Sequence, residues 1–200
     1  MKNPRYILLP GLGDQKPIFG WFYGWVEKQW RRAGMDARIC QMKWVSDEPY
    51  ERKLARLIAM IDEERARGRE VVLVGVSAGA ALGAVAFCRN SESLALVSIC
   101  GLLRLKPEDY KTSYGRTSWF KAAEAAEQGI KTLSPMQKAR VLTLSARTDN
   151  VIEPEREQIP EVTNIAMHAR GHLVGIAIGF IWYRRQIARY IERLGNTSSV

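Results

Sequence analysis

The chain has 200 residues, 46% of them hydrophobic, which suits one domain with a sizeable core, and no proline-rich or glycine-serine linker divides it. A formal net charge of +9 raises nucleic acid as a partner, but the basic residues are interleaved with acids, as in Glu63, Glu64, Arg65, Arg67, Arg69 and Glu70. These read as solvated faces, so no nucleic-acid partner is expected, and the milder consequence is steering of anionic substrates such as free carboxylates. Arg5 to Pro10 reads as a first strand running into Gly11, Leu12, Gly13 and Asp14. Phe22, Trp25, Val26 and Trp30 recur at helical spacing before Gly34, and Leu54, Leu57, Ile58 and Ile61 do so before Gly68, which predicts two amphipathic helices. Ala37 to Trp44 is a candidate strand between them. Val71 to Val74 reads as a buried parallel strand, Ala78 to Cys88 as a helix too apolar to be exposed, and Leu94 to Cys100 as another strand. Between Leu102 and Met136 one helix is expected, around Trp119 to Gln128.

Val141 to Ser145 predicts a strand followed by the turn residues Arg147, Thr148, Asp149 and Asn150, with Glu153 beginning or capping a helix-like PEREQ segment. Ile165 to Met167 looks like a short strand. Leu173 to Tyr183 is an apolar helix short of the roughly 20 residues that span a membrane, and one face continues through Ile187, Ile191 and Leu194. Gly195 to Val200 reads as a frayed tail. Strands and helices thus alternate, which implies a three-layer α/β/α sandwich around a mostly parallel, twisted sheet, with reactive groups at the carboxyl ends of the strands. Tyr6 to Leu9 is too short for a signal-peptide core, and Cys40, Cys88 and Cys100 read as reduced core thiols, so a cytoplasmic location is expected.

The stretch VVLVGVSAG, Val71 to Gly79, delivers Ser77 between Gly75 and Gly79 at the spacing GxSxG. Three fixed positions match by chance in roughly one chain of this length in fifteen, so context must carry the reading. Strand, GxSxG and helix occur in the order of a nucleophile elbow, in which a strained turn lifts the serine hydroxyl clear of the sheet edge. The alternative is a structural serine in a tight strand-to-helix turn. A serine hydroxyl needs a histidine to take its proton and an acid to orient that histidine. The chain has two histidines. His172, in a loop before an apolar helix, is better placed to swing toward a serine than His168, which sits with the strand. Asp149, in a loop after a strand, is the candidate acid. Gly11-Leu12-Gly13 fails as a dinucleotide fingerprint because position 16 is Lys16, and neither a GxxxxGK[ST] loop nor HExxH occurs. No cofactor and no catalytic metal is expected.

Ser77, Asp149 and His172 follow one another in the order found in α/β-hydrolases, and the chain resembles the smallest single-domain members of that superfamily over nearly its whole length, residues 1–200. The resemblance implies a backbone oxyanion hole from the N–H groups of Leu12 and Ala78. Many relatives carry a histidine where Pro10 stands, so this chain lacks one hydrogen-bonding side chain beneath the loop. The usual lid position falls in residues 102–136, a short lid-like insertion. Its Tyr110, Tyr114, Trp119 and Phe120 either wall an acyl pocket, with Trp119 and Phe120 as substrate contacts, or pack the segment onto the body. Trp21, Phe22 and Trp25 are expected to make the cleft mouth aromatic. The implied function is a serine hydrolase acting on a small-molecule ester or thioester; the alternative is a non-catalytic binding protein on the same scaffold.

Overall fold

The computed structural model describes residues 4–90, 92–111 and 117–197. Six strands, β1 (Arg5–Leu9), β2 (Asp36–Ile39), β3 (Val71–Val76), β4 (Ala95–Ile99), β5 (Val141–Thr148) and β6 (Thr163–Arg170), form one sheet in the order β2-β1-β3-β4-β5-β6. Every neighbouring pair is parallel. Successive strand residues point to opposite faces, and in β1 and β3 both faces are apolar. Ile7, Leu9, Val71 and Leu73 enter one core, while Tyr6, Leu8, Val72 and Val74 enter the other. The first core is closed by α2 (Tyr50–Ala66), α3 (Ala78–Arg89) and α4 (Ser118–Lys131). The second is closed by α1 (Pro17–Arg32), α7 (His172–Ile181) and α8 (Arg184–Thr197). Two single-turn helices, α5 (Pro135–Lys138) and α6 (Pro154–Glu157), flank β5.

The centre is β3 and α3. Small residues let α3 lie against the sheet, and its large side chains Leu82 and Phe87 are fully buried. Each such burial contributes on the order of 2 kcal/mol. Trp30 of α1 donates its indole N–H to the Phe180 carbonyl at 2.9 Å, joining α1 to α7 across the other face. Among the described residues no helix is long and apolar enough to cross a membrane.

Four features differ from the sequence reading. The strand expected over 37–44 stops at Ile39, because Asp14 takes the amide N–H groups of Met42, Lys43 and Trp44 that a ladder would need, and Lys43 has φ 52°. The long C-terminal helix is two helices. They turn at Trp182 and Tyr183, so that Ile187 and Ile191 reach the core while Arg185, Arg189 and Arg193 stay exposed. Gly195 to Thr197 belongs to α8 instead of a frayed tail, and 198–200 lie outside the described residues. Glu64 is fully buried instead of solvated, with Arg5, Arg67, Arg38 and Arg69 within 3.2 to 3.6 Å of its carboxylate. A buried charge needs such partners, and no local pattern in EERARGRE separates Glu64 from exposed Glu63.

Candidate active site

Ser77 ends β3 and precedes α3 with φ 50° and ψ −126°, a left-handed conformation that L side chains adopt only when the surroundings enforce it. Sterics supply that enforcement. A Cβ on Gly79 would run into the carbonyl oxygens of Leu9 and Pro10, and one on Gly75 would lie 2.6 Å from the Ala80 nitrogen. The Ser77 N–H donates to the Ile99 carbonyl at 3.3 Å, tying the turn to β4. Ala78 is the first residue of α3, so its N–H has no acceptor within the helix.

The loop after β1 closes over this turn. A Cβ on Gly11 would stand 2.8 Å from the Ser77 Cβ, so Leu12 follows directly beside the serine. Pro10 offers no side-chain hydrogen bond, and the loop is held from elsewhere. The Trp44 indole donates to the Pro10 carbonyl at 2.9 Å, and the Tyr23 hydroxyl accepts from the Gly11 N–H at 3.4 Å. Asp14 fastens the loop to residues 42–44 through the amides described above. Lys53, fully buried, donates to the carbonyls of Met42 and Lys43 from beneath.

At the carboxyl end of β5, the Asp149 side chain is wholly buried and receives three donors. Its Oδ1 accepts from the N–H groups of Val151 at 2.7 Å and Ile152 at 2.9 Å, and its Oδ2 meets Nδ1 of His172 at 2.7 Å. Burial alone would raise this carboxyl. The amides of Ile152 and Val151, together with the imidazole, outweigh burial and hold it below the ordinary aspartate range. His172 opens α7, and its backbone N–H donates to the Asn150 side chain at 3.1 Å. With Nδ1 held by Asp149, the other ring nitrogen is left for a second partner. His168 lies on the exposed side of β6, and its backbone N–H donates to the Tyr183 hydroxyl.

A cavity of about 410 Å³ is lined by Ser77, His172, Gly11 and Leu12 and otherwise almost wholly by apolar side chains. Ile18, Phe19, Trp21 and Phe22 come from α1; Leu173, Ile176 and Ala177 come from α7. Trp25 does not line it and lies beside Trp30 and Phe180 instead. Leu12 also borders a second cavity of about 630 Å³ with mixed walls, polar at Ser46, Asp47, Glu48, Thr117 and Lys121 and apolar at Trp44, Val45 and Trp119.

Neither aromatic expected as a substrate contact from the insertion lines the cavity beside Ser77. Phe120 is buried, packed edge-on against Tyr110 and Trp119, and does not line the cavity beside Ser77. Trp119 lines the second cavity. The physical reason is the amphipathic pattern of α4, whose Phe120, Ala123, Ala126 and Ile130 face the core beside α3. Tyr114 lies outside the described residues. No spacing in the sequence points to Glu157, the last residue of α6, yet its carboxyl is fully buried beside Asp149.

No protein-family model matches the chain, and no curated protein matches it in sequence. Solved structures match its fold. A Bacillus licheniformis lipase, BlEst2, superposes with a TM-score of 0.70 at 15% identity, over 92% of this chain and 91% of the lipase. A structure of the metagenome-derived lipolytic enzymes LipS and LipT gives 0.68 at 13% identity, over 95% of this chain and 94% of that one. A Paleococcus ferrophilus monoacylglycerol lipase gives 0.62 at 14% identity, over 95% and 96%. The chain has the α/β-hydrolase fold.

Proposed function

We propose that this chain is a serine hydrolase that cleaves small carboxylic esters or thioesters through an acyl-enzyme. Ser77 is the nucleophile, His172 the proton shuttle and Asp149 the residue that orients the imidazole. The observation that carries this reading is the 2.7 Å contact of Asp149 with His172 Nδ1, made by an imidazole that lines the same cavity as Ser77. Ser77 Oγ attacks the substrate carbonyl while His172 takes its proton; the backbone N–H groups of Leu12 and Ala78 receive the oxyanion. Collapse expels the alcohol or thiol, which leaves with the proton from His172. Water then attacks the acyl-Ser77 ester by the same route and releases the acid.

The α1 and α7 walls favour an apolar acyl group, and the second cavity beyond Leu12 would take the alcohol or thiol portion. On this reading residues 1–200 act as one catalytic domain with 102–136 as a reduced lid. Cys40, Cys88 and Cys100 are free thiols, which fits a reducing compartment such as the cytoplasm.

Labelling by a fluorophosphonate probe and turnover of p-nitrophenyl acetate and butyrate test the reading. Wild-type protein should be labelled at Ser77, and Ser77→Ala should lose labelling and on the order of 10⁴-fold or more in turnover with an unchanged fold. Undiminished turnover by Ser77→Ala, or an unlabelled wild type, overturns it.

A further inference from the structure

Glu157 is fully buried at the end of α6, and no step of the proposed mechanism uses it. Its Oε2 accepts from the Ala146 N–H at 3.2 Å, whereas its Oε1 is buried with no donor to accept from. A carboxylate oxygen so placed carries a full desolvation cost, which disappears if that oxygen carries a proton and finds an acceptor. The acceptor is at hand. One oxygen of Glu157, one of Asp149 and the Cys100 sulfur all lie within 4.8 Å of one another.

The two carboxyls are unequally provided for. Asp149 has Val151, Ile152 and His172 as donors, and Glu157 has the Ala146 amide and the Cys100 thiol, a weak donor. The single negative charge that this buried space tolerates therefore belongs on Asp149 and the proton on Glu157. We propose that the Glu157 carboxyl is a hydrogen-bond donor to Asp149, a positioning residue that holds the carboxylate square to His172 and leaves its charge facing the imidazole. Burial, reinforced by the neighbouring Asp149 charge, pushes Glu157 up to about 9, in keeping with that role. The titratable groups facing it are Asp149 from the loop after β5 and Cys100 from the end of β4, with His172 of α7 behind Asp149. The adjacent Arg156 is turned away, toward Asp109 and the Arg104 carbonyl.

This inference rests on Asp149 being the acid of the triad, and the experiment separates the two. Glu157→Gln keeps the shape: its amide N–H can donate to Asp149 while its carbonyl accepts from Ala146. The rate of Ser77 labelling by a fluorophosphonate probe, followed from about pH 6 to 10, should fall near pH 9 in the wild type, where the Glu157 proton is lost. Glu157→Gln should label within a few-fold of wild type at neutral pH and show no such fall. The ¹³C carboxyl resonance that disappears in Glu157→Gln should titrate near the same pH, a readout independent of activity. A resonance titrating in the ordinary glutamate range overturns the proposal, and so does an alkaline fall that Glu157→Gln retains. A wild type that is never labelled while this resonance still titrates high removes the serine-hydrolase reading and the positioning role with it.

Discussion

The two halves of the site are held in place by different physics. Around Ser77 the backbone does the positioning: no side chain caps α3, and the strained turn is enforced by how closely Gly75 and Gly79 meet the neighbouring chain. Around Asp149 and His172 the positioning is electrostatic. Directed donors converge on a buried carboxylate from Val151, Ile152 and the imidazole, with a second buried carboxyl alongside. The serine half should therefore fail when volume is added, and the acid-base half when a donor, a charge or a proton is changed.

The largest expected effect breaks the acid-base half. Under the proposed mechanism Asp149→Asn should lower kcat for p-nitrophenyl butyrate by on the order of 10⁴, because the imidazole tautomer that would accept the Ser77 proton is no longer enforced. A loss below tenfold would remove Asp149 from the role assigned to it. Next, Gly79→Ala adds one methyl where backbone oxygens already stand, and should cost about 3 kcal/mol or prevent folding altogether, read by urea unfolding. Wild-type stability in that variant would mean that sterics do not hold the turn.

A further expected effect separates the halves by pH. Glu157 is raised from 4.5 to about 9, so the folded chain keeps a proton that the unfolded chain gives up. Its contribution is complete below about pH 4.5 and is lost as pH climbs toward 9. Asp149, held below its ordinary value, acts in the opposite sense: its contribution is present above that value and is lost on acidification. The thermal midpoint of Glu157→Gln should thus match wild type near about pH 5 and exceed it increasingly toward pH 9, whereas the gap between Ser77→Ala and wild type should stay flat. Parallel curves for Glu157→Gln and wild type would show an ordinary, ionised Glu157.

The same contrast explains what could be read from the chain. A turn positioned by small residues leaves a contiguous trace, so Val71 to Gly79 displays its strand, its glycines and its serine in order. Alternation of apolar strands and helices likewise revealed the layers, because both faces of the sheet need covering. A network of side chains from separate elements leaves no such trace. Asp149 and His172 were legible through chain order and loop position, but Glu157 and Glu64 look in sequence like any exposed acid. The break at Trp182 was hidden because no glycine or proline marks it and the apolar period runs through. Composition did not separate Trp119 from Phe120: aromatics in an insertion can face either way, and here Phe120 is buried, Trp119 lines the second cavity, and α1 supplies Trp21 and Phe22 to the wall beside Ser77.

Leu12 is the one described residue common to the cavity beside Ser77 and the second cavity. It stands as a ridge between two basins, one greasy and one of mixed polarity, with the loop beneath it anchored by Asp14, Tyr23 and Trp44. Selectivity in such a layout is modular. Under the proposed function, reshaping the α1 wall would alter which acyl chains fit while leaving the opposite basin untouched, and only a change at the ridge itself would couple the two.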